Sequence, residues 1–102
     1  MRKLKGFFIL LAVAGRIVFE KSGCGNCHGD QLVASGNGRI PDLRAVPEPV
    51  LHLMPQILHD GLFRSAGMPP FPSISDEQIM ALQAYVTDAA WDAYEGQPSA
   101  RK

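Results

Sequence analysis

Cys24-Gly-Asn-Cys27-His28 is the part of this chain whose residue types and spacing can do specific chemistry. Two thiols three positions apart, followed at once by an imidazole, form the C-x-x-C-H attachment sequence for haem c. Each thiol adds across one haem vinyl group, and two intervening residues bring both to the same side of the ring. The adjacent His28 then lies under the iron as its proximal ligand. Cys24 and Cys27 are the only cysteines in the chain, so the motif leaves none over. Two other uses of the same residues stay open. A redox-active C-x-x-C disulfide would need a thioredoxin-like βαβ setting, and no such pattern is visible. A zinc site would need a fourth ligand from His52 or His59, with His28 awkwardly placed directly after a cysteine ligand.

An electron-transfer haem needs a second axial ligand, and methionine suits a high-potential cytochrome. Beyond Met1 the chain offers Met54, Met68 and Met80. Met54 lies in an apolar helical stretch and Met80 inside a long helix, both packing positions by default. Met68 lies in a loop, between Gly67 and Pro69-Pro70, where a side chain can be held at a fixed angle without a helix to bury it. Met68 is therefore the expected ligand, with a histidine as the rival. His52 and His59 read as surface or packing residues.

The elements that must position these groups are helical. Gly15–Ser22 reads as a short helix broken by the glycines around the motif, and residues 30–49 read as a long loop with turns and prolines. Val50–Asp60 carries apolar residues at a helical spacing, but Pro55 inside it predicts a kink or two short helices. Residues 64–74 form a second loop. Ser75-Asp-Glu-Gln78 is a capping box that opens the clearest helix, over about 76–93, with Ile79, Leu82, Val86, Ala89 and Ala93 on one stripe. Trp91 and Tyr94 read as packing residues late in that helix. No sustained alternation predicts strands. Two long loops in a single domain of 102 residues imply that something fills the space between them.

Charge is unevenly distributed. The whole chain sums to zero, yet Met1–Lys21 holds five basic residues and one acid, while Ser22–Ala100 holds three arginines and nine acids. A nucleic-acid-binding role is not expected from such a body. The basic start, the apolar run Gly6–Ala14 and Ala12-Val-Ala14 have the order of a secretory signal. The run is too short to span a bilayer, which takes about 20 apolar residues. Residues 1–14 are thus expected to be a signal or anchor segment, with an apolar helix packed on the core as the rival reading, 15–95 the domain proper and 96–102 a flexible tail. An exported, periplasmic location is expected, with membrane association only through residues 6–14.

Gly15 and Phe19 ahead of Cys24-x-x-Cys27-His28, then Ile40-Pro-Asp-Leu43, Gly67-Met-Pro69, and a last helix with Leu82 and Tyr85 together resemble a class I cytochrome c domain. The resemblance covers residues 14–93. It implies an all-α fold of three to four short helices, with long loops wrapped around one covalent haem c. It also implies that Gly15 and Phe19 on the first helix cross Leu82 and Tyr85 on the last. A narrower resemblance is to the C-terminal haem domain of quinohaemoprotein alcohol dehydrogenases, through Pro41-Asp-Leu-Arg44, Ile57…Gly61-Leu62, Gly67-Met68 followed by Phe71, and Ala84-Tyr-Val86. In such enzymes a propeller oxidises the alcohol with pyrroloquinoline quinone and the haem domain takes the electrons. The resemblance implies that the Pro41 carbonyl accepts from His28 Nδ1–H, and that Arg44 lies near the haem propionates, a plain surface arginine being the rival. It also implies a one-electron carrier between a quinoprotein dehydrogenase and an oxidase or another carrier. A ligand sensor or peroxidase-like haem protein with a displaceable distal ligand is the alternative.

Overall fold

The computed structural model describes residues 6–29, 31–33, 40 and 42–96. Among them are five α-helices and no strand: α1 (Gly6–Lys21), α2 (Gly25–His28), α3 (Glu48–His52), α4 (Met54–His59) and α5 (Asp76–Glu95). Short 3₁₀ turns at Leu43–Ala45 and Arg64–Ala66 interrupt the two long connections. The all-α expectation holds. The helix count exceeds the expected three to four because α2 and α3 are pieces of about one turn. No helix among the described residues is long and apolar enough to cross a membrane.

α1 begins nine residues ahead of the Gly15 start expected of it. Gly15 does not break the helix, because good helix formers flank it and no proline intervenes. Its absence of a side chain serves packing instead. Ala12, Gly15 and Phe19 form the buried stripe of α1. A Cβ on Gly15 would run into the backbone carbonyl of Ala81 on α5 and lie 2.8 Å from Tyr85 Cβ. One turn on, the Phe19 and Tyr85 rings meet edge-on, 5.5 Å apart and at 63°. Such a pair contributes about 0.5–1.5 kcal/mol beyond its buried area. The expected crossing of first and last helices is therefore present, with Ala81 rather than Leu82 directly beneath the glycine.

α5 opens on the predicted capping box. The Gln78 N–H donates to Ser75 Oγ (3.1 Å) and the Ser75 N–H to Gln78 Oε1 (2.8 Å). Of its predicted stripe, Ile79, Leu82 and Val86 are buried, while Ala89 and Ala93 are half-buried.

The helical stretch around Pro55 resolves into two pieces, as its proline predicts. Pro55 occupies the first turn of α4, where a missing N–H costs least. The carbonyl four residues earlier, on Leu51, is instead met by Gln83 Nε2 from α5 at 3.2 Å. The break in the helix thus becomes a tie between α3 and α5.

The core is one cluster of Phe19, Leu32, Ile57, Leu58, Ile74, Ile79 and Leu82. Leu32 is only 1% exposed although its φ is +69°. A left-handed leucine costs about 1–2 kcal/mol, and the burial of its side chain offsets this. Its carbonyl accepts from the Leu43 N–H (3.1 Å), closing the loop that follows α2.

If the crossing depends on this close approach, Gly15→Ala should destabilise the chain by about 1–3 kcal/mol through overpacking. Gly6→Ala, in the same helix and with nothing within 4 Å of where its Cβ would lie, should be neutral or slightly stabilising. Equal urea midpoints for the two variants would rule the crossing out.

Candidate functional site

The first arm of the site hangs from the C-terminal end of α1. Gly23, at φ +78°, turns the chain, and the Cys24 N–H donates back to the Phe19 carbonyl (3.2 Å). The single turn of α2 follows, closed by the His28 N–H donating to the Cys24 carbonyl (3.0 Å). Cys24 is half-buried and packs against the core cluster, Cys27 is exposed, and neither is in a disulfide. Burial pushes the Cys24 thiol pKa above its ordinary value.

His28 is half-buried, and burial holds its pKa below the usual histidine value. A neutral imidazole is the form that offers a lone pair to a metal. Its Nδ1 is buried without a hydrogen-bond partner among the described residues. A buried ring nitrogen of this kind is what a ligating histidine turns toward an outer partner while its other nitrogen binds the metal. Pro41, whose carbonyl is the expected partner, lies outside the described residues.

The second arm leads into α5. The turn Arg64–Ala66 ends at Gly67, whose φ of +103° re-aims the chain just before Met68. A Cβ on Gly67 would meet nothing within 4 Å, so conformation and not space demands glycine here. The Met68 N–H donates to the Phe63 carbonyl (3.1 Å). Its side chain is half-buried against the same core cluster as Cys24. Both arms therefore border one apolar core.

The rival ligands are placed differently. Met80 is 55% exposed on α5. Met54 is partly buried against the core at the start of α4. His52 is exposed and lies 3.8 Å from Glu48, one turn earlier on α3. His59 Nε2 is engaged by the Ile74 carbonyl at 2.6 Å. No group of three or more His, Cys, Asp or Glu side chains converges as for a metal ion among the described residues, so neither of these histidines completes a tetrahedron with Cys24 and Cys27.

Arg44 is held by Asp42, with Nε to Oδ1 at 3.0 Å and Nη2 to Oδ2 at 2.9 Å. Asp42 Oδ1 also accepts the Arg44 N–H (2.9 Å) and so caps the turn Leu43–Ala45. The guanidinium lowers the Asp42 pKa by hydrogen bonding, and the carboxylate raises that of Arg44 in the same way. Arg44 is thus oriented by a neighbour two residues away, through two of its five N–H donors. Trp91 and Tyr94, expected to pack inward, instead stack edge-on at 5.8 Å and remain 43% and 53% exposed.

Four structural roles escaped the sequence reading: His59 on Ile74, Gln83 on Leu51, Asp42 as a cap, and the left-handed Leu32. Only Asp42 had a local signal, since Asp two residues before a turn amide is a common capping arrangement. The donor set itself fits a haem c. It comprises two thiols on one helical turn, a histidine whose pKa burial lowers and whose Nδ1 is buried without a partner among the described residues, and a thioether on the same core.

Comparison with known proteins also implies a haem. A family model described as cytochrome c oxidase, cbb3-type, subunit III matches residues 11–86. Lupanine 17-hydroxylase (cytochrome c) from a Pseudomonas species is 42% identical over 87 residues, which is 85% of this chain and 12% of the hydroxylase. The chain thus spans about one-eighth of the length of that relative. No solved structure matches.

Gly67→Ala should lower stability by about 1 kcal/mol from backbone strain alone. Gly67→Asn, which tolerates a positive φ better, should lose less. Thermal unfolding of the two variants decides it, and an alanine variant as stable as the parent would contradict the left-handed conformation.

Proposed function

The chain belongs to the cytochrome c family described as cbb3-type cytochrome c oxidase subunit III, and from that membership we propose a one-electron carrier whose haem c is joined to Cys24 and Cys27 and ligated by His28 and Met68. Membership makes it a haem-based electron-transfer domain that works with redox partner proteins, not a catalyst acting on a substrate of its own. When bound, the haem supplies a one-electron iron couple. The observation that carries the ligand assignment is the loop setting of Met68, aimed by the left-handed Gly67 and half-buried on the core cluster that Cys24 also borders, whereas Met54 meets that cluster from within α4.

The residues would divide the work as follows. Cys24 and Cys27 bind the ring covalently and keep the cofactor on the carrier through every cycle. His28, whose pKa burial holds below the usual histidine value, would donate to the iron. Its Nδ1 requires an outer acceptor, and the Pro41 carbonyl is the one we propose. Met68 supplies a thioether that favours the reduced state. Arg44, already oriented by Asp42, offers its remaining N–H donors to a propionate by charge-assisted bonding.

The proposed donor is a dehydrogenase or hydroxylase of quinoprotein type, and the acceptor an oxidase or another carrier. The 42% identity to part of a hydroxylase whose name includes cytochrome c supports the donor side. Covalent haem attachment takes place outside the cytoplasm, and the basic, apolar start of the chain supports an exported location. Removal of residues 1–14 would leave seven basic and ten acidic residues. A docking partner would then present a basic or apolar face.

Expression with haem-attachment machinery should give a pyridine haemochrome spectrum of one covalent haem per chain. Met68→Ala should abolish the methionine–iron charge-transfer band of the oxidised protein while leaving the haem attached. A protein without covalent haem would end the proposal, and a band unchanged by Met68→Ala would end the Met68 assignment.

A further inference from the structure

The segment that carries Met68 has little structure of its own. Between Gly61 and Ile74 its one regular piece is the turn Arg64–Ala66, and residues 62–67 are exposed. Bonds to α4 hold it. At its near end, the Leu62 N–H donates to the Gln56 carbonyl (3.2 Å). Toward its far end, the Phe71 N–H donates to the Leu58 carbonyl (2.6 Å). Three residues later the His59 ring reaches the Ile74 carbonyl, Nε2 to O at 2.6 Å.

This last bond differs from the others in being made by a side chain. A carbonyl only accepts, so His59 Nε2 must carry the proton, and the partner fixes the tautomer. It joins the last residue of α4 to the residue just before the Ser75 cap of α5. Ile74 is 6% exposed, so its carbonyl has little access to water should the donor be lost. A buried acceptor left without a partner is costly, and the local answer is for the segment to move until water reaches it.

We propose that His59 is a positioning residue for Met68. Its Nε2–H bond to the Ile74 carbonyl pins the far end of the Met68 segment to α4, and so keeps the thioether in place as a ligand. This rests on the reading of Met68 as the axial ligand. Without the bond, the core residues Ile57 and Leu58 and the Phe71–Leu58 tie remain, so the fold persists, while the stretch that follows Met68 keeps only the Phe71 N–H as its bond to α4. A loosened thioether yields more readily to an added ligand.

The test uses the haem-loaded chain as wild type, Met68→Ala, His59→Gln, His59→Phe and His59→Leu. Glutamine keeps an N–H donor at the position of Nε2, phenylalanine keeps the ring without the donor, and leucine removes both. Carbon monoxide binding to the reduced form and the charge-transfer band of the oxidised form are measured for each. The phenylalanine and leucine variants should bind carbon monoxide roughly tenfold faster than wild type with a weakened band, and His59→Gln should stay within about threefold of wild type. Wild-type behaviour in the donor-less variants overturns the proposal. So does a glutamine variant as impaired as the phenylalanine one, which would show that ring packing and not the bond matters. Failure of both donor-less variants to accumulate, beside a normal glutamine variant, overturns it in favour of a general folding role. Should wild type bind carbon monoxide as fast as Met68→Ala, the ligand assignment itself fails, an outcome separable from all of these.

Discussion

The close approach of α1 to α5 at Gly15 is the constraint on which the rest of the site depends. With no side chain at Gly15, the α1 backbone comes against the Ala81 carbonyl, and the Phe19–Tyr85 pair locks the angle one turn away. Both arms of the site are attached to this crossing. Cys24 lies three residues beyond the end of α1, and Ile74 lies two residues before the start of α5. The separation between the His28 arm and the Met68 arm is therefore set by how deeply two helices pack, at a point remote in sequence from either arm. A methyl group at Gly15 would change that separation without touching a functional side chain.

Two glycines serve the site for opposite physical reasons. Gly15 has ordinary helical backbone and no room for a Cβ, whereas Gly67 has room and a backbone that L-residues avoid. The first kind of constraint is tertiary and is invisible without the partner helix. The second is local and can be suspected from a Gly-Met-Pro sequence between two helices. Pro55 shows the same coupling of local and tertiary effects. It removes a donor within its own segment, and Gln83 of α5 meets the carbonyl so affected. A local irregularity thereby becomes an inter-helix contact.

What was legible in the sequence follows this division. The Cys24–His28 motif was readable because covalent chemistry dictates its spacing, and the Ser75–Gln78 box because capping is a matter of four adjacent residues. The split at Pro55 followed from a missing N–H. The crossing was available only through resemblance, since nothing in Gly15 itself distinguishes a packing glycine from a helix breaker. The apolar run ahead of Gly15 is likewise open to two readings, a signal segment or a helix packed on the core, and α1 begins within it at Gly6. The His59–Ile74 bond had no readable signal at all. A histidine and a carbonyl fifteen residues apart become partners only after α4, the Met68 segment and α5 have docked.

The two arms are also tied down with unequal strength. The His28 arm is bonded within itself and to α1, through the Cys24 N–H on the Phe19 carbonyl and the His28 N–H on the Cys24 carbonyl, and Phe19 lies at the centre of the core. The Met68 arm has Ile74 in the core and is bonded within itself and outward to α4 by a few hydrogen bonds, each contributing about 0.5–1.5 kcal/mol net, while residues 62–67 are exposed. Such a segment can open locally at a free energy well below that of global unfolding. On the ligation proposed above, this asymmetry matches the chemistry of attachment. The thioether bonds would lie on the arm bonded directly to the end of α1, so the cofactor would stay in place if the methionine arm lifts. A carrier built the other way, with covalent bonds on the yielding segment, would let the ring move with every opening. The placement of both cysteines at the end of α1 thus follows from the same crossing that fixes the rest of the fold.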